Sequence, residues 1–293
     1  MRERIIIDAH VHLWEVQNGR VGGRPVYGLG GGVSMFLGEQ HQMMPPYLTD
    51  NRNTAETLLS NMDYAQVNAC VVTQEYMDGN QDEYLLRVRK AYPERFRICS
   101  LYEEREDFRL DGFDGLKICA GRLADQDLKK LLPVFRKTEE AGVFVGLDLA
   151  DGDAQTDDMQ YLIDACPNLR ITIGHFGMVT TEGWQKQIAL AKNPNVYIES
   201  GGLTWLFHKE FYPYPSAVEA ILEARDICGM DKLMWGSDYP RTMTDITYRS
   251  AVRFLEETTR LTEEEKDAFL GGNAERFYGF TGLKPIPERL NML

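Results

Sequence analysis

IIIDAHVHLW, residues 5–14, sets three β-branched residues directly ahead of an acid, two histidines and a tryptophan. The apolar run Ile5–Ala9 predicts a buried strand, because β-branched side chains suit a pleated, packed surface. That strand leads into HVHLW with no glycine-rich phosphate loop, which counts against a doubly wound open sheet. Further along, seven more short apolar runs recur: 69–73, 96–101, 115–119, 143–149, 169–173, 196–200 and 232–235. Several are continuously apolar, as parallel strands covered on both faces require. Helical spacing fills most of the gaps, at 54–64, 82–91, 127–141, 158–165, 182–191 and 217–227. Strand–helix units in series predict an α/β protein, and eight of them predict one closed (β/α)8 TIM barrel.

Two segments depart from that repeat. Residues 15–53 form a long connection after the first strand, too long for an ordinary loop, and read as an active-site lid. Tyr27, Met35, Phe36, Met43 and Met44 give it apolar material to pack. From about Thr247 a helical tail runs to residue 293, with LTEEE as a helix start. Neither a linker nor a repeat interrupts the chain, so residues 1–293 are expected to form a single domain.

The chain has 293 residues, 43% hydrophobic and 26% charged, which fits a globular protein. Its 45 acidic against 32 basic residues give a net charge of −13. Such a surface repels phosphate backbones and anionic lipid, so neither nucleic acid nor membrane is an expected partner. A small substrate, even an anionic one, remains compatible through a local cationic pocket. Five scattered cysteines without a CxxC pair read as reduced thiols. No apolar stretch reaches the ~18 residues of a membrane span, and a cytoplasmic location is expected.

Only five histidines occur: His10, His12, His41, His175 and His208. His10 and His12, two apart at a strand end, would project to one face about 6–7 Å apart at the backbone. Two imidazoles so placed can reach one divalent ion. His175, in ITIGHFG, follows the sixth predicted strand, and Asp238, in WGSDYPR, follows the eighth. All four groups therefore point to the carboxyl rim of the barrel, where metal-assisted hydrolysis becomes possible.

The motifs IIDAHVHLW (6–14), ITIGHFG (171–177), WGSDYPR (235–241) and GGNAERFYGF (271–280) resemble the amidohydrolase superfamily. The resemblance is to its amidohydrolase-related branch, which holds aminocarboxymuconate-semialdehyde decarboxylase-like enzymes and lactonases. It implies that His10, His12 and Asp238, with His175 or water, hold one divalent metal ion, expected to be zinc. It also implies catalytic roles for His175, on the carbonyl, and Asp238, on the attacking water. The decarboxylase-like enzymes add a metal-binding histidine after strand five. Here that strand reads VFVGLDLADGD, and Asp148 is the nearest candidate ligand. The lactonases match better there, and metal dependence is mixed among them, so the same groups could also position a lactone carbonyl without metal.

Lys117, on the fourth strand, reads either as a cationic anchor for substrate or as half of a barrel ion pair. Arg241 reads either as a substrate contact or as a solvated arginine. His41, in the lid segment, and His208, after strand seven among Trp205, Phe207, Tyr212 and Tyr214, are open to substrate or to solvent. Those aromatics wall a pocket or serve a homo-oligomer interface. No GxSxG elbow or paired cysteine nucleophile is present, so direct attack by water is expected. The leading expectation is a hydrolase that opens a sugar or carboxylated lactone. A non-oxidative decarboxylase of an aromatic or muconate-like acid is the second reading, and a catalytically inactive binding barrel the third.

Overall fold

A computed structural model describes residues 3–288. Eight parallel strands succeed one another in chain order: β1 (Ile7–Val11), β2 (Ala69–Val72), β3 (Phe96–Leu101), β4 (Gly115–Ile118), β5 (Phe144–Leu147), β6 (Ile171–Ile173), β7 (Val196–Glu199) and β8 (Leu233–Met234). Nearly every strand residue is buried, which explains why the apolar runs lack a period of two. Backbone bonds then close the circle: Ala9 N–H donates to Trp235 O at 2.9 Å, Asp238 N–H to His10 O at 3.0 Å, and His12 N–H to Tyr239 O at 2.8 Å. The chain is a TIM barrel.

β1 begins at Ile7, two residues later than expected, because Asn68 clamps Ile6 through both its backbone N–H and its side-chain oxygen. The strand also runs on to Val11, past the expected Ala9, so His10 lies inside it. An irregularity between Asp8 and Val11 spends three steps of β1 against two of β2. Such bulges re-aim side chains, and this one lies where the two histidines emerge.

Helices α1 (Ala55–Ala65), α2 (Asp82–Ala91), α3 (Leu132–Glu140), α4 (Thr156–Ala165), α5 (Trp184–Ala189), α6 (Pro215–Cys228) and α7 (Tyr248–Glu257) form the jacket. Each buries one stripe on the barrel, as Leu58 and Met62 do in α1 or Met159 and Leu162 in α4. No α-helix separates β3 from β4. Helix α7 packs against α1, so the start of the expected tail is the barrel's own eighth helical position.

The rest of the tail has a different task. A capping box at Thr262 and Glu265 starts α8 (Glu263–Asp267), as LTEEE predicts. A π-turn at Ala268–Gly272 comes next, where a Cβ on Gly271 would stand 2.1 Å from the Ile5 carbonyl oxygen. Glycine alone lets the turn approach β1 that closely. α9 (Asn273–Tyr278) then lays Phe277 and Tyr278 against Ile7, Val71, Cys99, Phe144 and Met234, plugging the amino-terminal floor.

Residues 15–53 fold into a β-arm rather than an irregular loop. A hairpin at 20–21 and 24–25 precedes a three-stranded antiparallel sheet of Tyr27–Gly30, Val33–Phe36 and Glu39–Gln42. Asn51 ties the arm down: its side chain accepts from Gly32 N–H and donates to Val33 O, while its carbonyl accepts from Trp14 Nε1. Of its expected packing residues, Met44 is buried with Trp14 and Leu48, whereas Tyr27 is exposed. Among the described residues no helix is long and apolar enough to cross a membrane.

Candidate active site

The carboxyl ends of the strands surround a cavity of about 560 Å³. His12 enters it from β1, Glu75, Met77 and Asp78 from the β2 loop, and Cys119 and Arg122 from the β4 loop. Asp148 comes from β5, His175 and Met178 from β6, Trp205 from the β7 loop, and Asp238 and Arg241 from β8. Met43 and Met44, at the end of the arm, complete the wall.

His10 is completely buried beneath it. Its Nδ1 lies 2.6 Å from Glu199 Oε1, and since a carboxylate only accepts, that nitrogen carries the proton. The tautomer leaves Nε2 with a bare lone pair, aimed at His12 Nε2 3.1 Å away. Asp238 Oδ1 stands 3.1 Å from His12 Nε2 and 3.8 Å from His10 Nε2. Two lone pairs and a carboxylate do not converge unless a proton or cation lies among them. Separations of 3.1–3.8 Å bracket the about 3.3 Å edge of a tetrahedron built on ~2.0–2.1 Å zinc–nitrogen bonds. The donor set fits a divalent ion, and Glu199 behind His10 is the kind of partner that orients a metal-bound imidazole.

Asp238 occupies a left-handed backbone position with φ 60°, which aspartate tolerates better than most residues. Its second oxygen accepts from Trp205 Nε1 at 2.7 Å. Burial alone would lift its carboxyl, but the His12 hydrogen bond and the charge of His175 hold it well below the usual range. Burial opposes protonation of His12, yet the hydrogen bond to Asp238 raises it to about 9. His12 Nδ1 is buried without a hydrogen bond, with Asp78 Oδ2 3.7 Å away. Burial lifts the Asp78 carboxyl to about 7.

His175 opens an unusual turn. It and the next three residues, Phe176, Gly177 and Met178, all have positive φ, from 47° to 62°. Its Nδ1–H donates to Gly201 O at 2.8 Å, leaving Nε2 turned toward Asp148 Oδ2 at 3.8 Å. Burial would lower His175, but Asp148, Asp238 and Glu199 raise it, so the ring is biased toward imidazolium. His10, Asp148 and His175 form a second group with cation-binding geometry, sharing His10 with the first.

Lys117 does not reach the cavity. Its Nζ is buried 2.6 Å from Asp148 Oδ1, which makes it half of an ion pair under the site. His41 lies exposed on the outermost strand of the arm and His208 exposed beside Trp205, whose carbonyl oxygen accepts from its Nδ1. Neither borders the cavity. The expected substrate contacts by Lys117, His41 and His208 therefore lack the geometry they need, because each side chain is spent elsewhere or faces outward. Arg241 does border the cavity, its guanidinium 5.6 Å from the Trp205 ring. So does Arg122, which sequence reasoning missed, held by Glu75 at 2.9 Å. Glu199 and Asp78 were also missed. An acid inside the apolar run VYIES was the available signal for Glu199, since a buried carboxylate needs a partner.

A family model for amidohydrolases matches residues 7–280, nearly the whole chain. The chain belongs to the amidohydrolase family. No curated protein matches it in sequence. Among solved structures, this amidohydrolase is similar to an amidohydrolase from Burkholderia multivorans with bound zinc. That match has 17% identity and a TM-score of 0.67, covering 94% of this chain and 99% of the other. It is also similar to a protein of Pseudomonas putida provisionally described as a 2-pyrone-4,6-dicarboxylic acid hydrolase. There the identity is 21% and the TM-score 0.68, over 96% and 100% of the two chains. 5-Carboxyvanillate decarboxylase of Novosphingobium aromaticivorans, complexed with manganese, aligns less fully, at 17% identity and TM-score 0.55 over 77% and 80%. At these identities the likeness is one of fold.

Proposed function

We propose that this amidohydrolase opens a small carboxylated lactone by attack of water. The observation that carries the reading is the bare His10 Nε2 facing His12 and Asp238 at the cavity floor. A divalent ion held by His10, His12 and Asp238, most naturally zinc, would polarise the lactone carbonyl and acidify the attacking water. Asp238, kept ionised by its neighbours, takes the proton of that water. His175 donates Nε2–H to the carbonyl oxygen as negative charge gathers on it. The ring C–O bond then breaks, and the proton on Asp238 passes to the departing alkoxide. The product is a hydroxy acid, which releases a proton at neutral pH.

Arg122, after β4, and Arg241, after β8, stand on opposite sides of an eight-stranded ring. That spacing supports a substrate with carboxylate at both ends, and arginine forks suit carboxylates. Decarboxylation is less favoured, because β5 ends in an aspartate locked to Lys117 and supplies no neutral imidazole. A pH-indicator assay over a panel of carboxylated lactones is expected to show acid release. Silence on every lactone, with CO2 released from a carboxylated phenol, would move the assignment to decarboxylation. Purified protein is expected to carry about one equivalent of zinc or manganese.

A further inference from the structure

The cavity is larger than a small lactone ring needs, and beside polar groups such as Asp151 and Gln187 its wall carries an unusual share of methionine. Met43 and Met44 from the arm, Met77 from the β2 loop and Met178 from the β6 loop all border it. Thioethers donate no hydrogen bond and accept only weakly, so they offer nothing to the hydroxyls of a sugar. They adapt to irregular apolar shapes and pack well on aromatic rings.

Met178 adds an independent argument. It sits at φ 57°, in a left-handed region that glycine occupies without strain and a side chain does not. Its neighbour Gly177 shows that the turn already uses glycine where a Cβ would stand 3.0 Å from the Trp184 carbonyl oxygen. At Met178 the chain instead carries a long apolar side chain on strained backbone, facing the cavity. Strain retained at a cavity wall points to a use for the side chain.

We infer that the substrate carries an aryl or alkyl substituent that packs on methionine side chains of this wall, and is not a polyhydroxylated sugar lactone. The inference rests on the lactone reading for the reaction, but concerns a substituent borne between the two carboxylates of the same molecule. Binding of stable acids separates the two.

Calorimetric titration of the purified protein with succinate, 2-phenylsuccinate and glucarate tests it. Phenylsuccinate is expected to bind roughly tenfold or more tightly than succinate, the order of effect that apolar groups produce in a fitted pocket. Met178→Gly is expected to shrink that ratio several-fold while its Tm holds or rises, because the backbone strain is relieved. Met77→Gln is expected to shrink the ratio as well. Equal affinities for the two succinates, tighter binding of glucarate, or no binding of any of the three would overturn the proposal. If the preference for phenylsuccinate holds while no lactone is hydrolysed, the reaction assignment falls and the pocket assignment stands.

Discussion

Glu199 and Asp238 are both buried carboxylates touching histidines, yet they do different things. Glu199 reaches the back of His10 and fixes which nitrogen is bare, whereas Asp238 stands on the bare side. Glu199→Gln should therefore weaken zinc affinity by roughly 10–100-fold with the fold intact, as losses of such orienting partners do. Competition against a chromophoric chelator measures this, and an unchanged affinity would reduce Glu199 to a packing residue. Asp238→Asn should cut turnover by about 10³-fold or more under the proposed chemistry, since it removes the proton acceptor. Near-normal rates in a folded Asp238→Asn variant would remove it from that role. Lys117→Met removes the main ion-pair partner of Asp148 and leaves that half-buried carboxylate with only the more distant His175. A loss of about 3 kcal/mol is expected, seen as a Tm lower by roughly 6 °C or more. That His10, His12 and Asp238 come together as a candidate cation-binding group beside His175 was legible in the sequence, because spacing and strand ends place them. Arg122, Asp78 and Glu199 were not, because their relevance depends on which strands become neighbours across the barrel.

At the scale of elements, the barrel strands were readable because burial on both faces leaves continuous apolar runs. The β-arm was not. Its strands are two to four residues long and its sheet is half exposed, so neither a period of two nor an apolar run develops. Its order depends instead on one residue, Asn51, which sits at φ 56° and bonds the arm at both Gly32 and Val33. Asn51→Ala should leave the barrel folded and loosen the arm. Limited proteolysis is the measurement: cuts between residues 15 and 53 should appear many-fold faster, and an unchanged pattern would locate the anchor elsewhere. Because Met43 and Met44 close the cavity from the arm, the same substitution should also weaken binding of any ligand that rests on them.

For the molecule as a whole, burial governs the thiols as it governs the site. Cys70, Cys99, Cys119 and Cys166 are buried, and desolvation raises each of them; Cys228, half-buried, is pushed up to about 12. With so little thiolate at pH 7.5, the native protein should react with Ellman's reagent at no more than one thiol within minutes, against five after denaturation. Fast reaction of Cys119 would mean the cavity floor is wetter than its packing implies.

The hydrogen bonds that close the barrel run between the residues that carry the site: His10 and His12 on one side, Asp238 and Tyr239 on the other. His12 and Asp238 lie 226 positions apart in the chain. At ~5–20 residues per second, a ribosome needs roughly 10–45 s to connect them. Throughout that interval the free edge of β1 has no partner, and a cation would find only two of its three protein ligands. Under the proposed function the site is complete only when β8 meets β1, so tight cation binding would double as a report that the ring has shut.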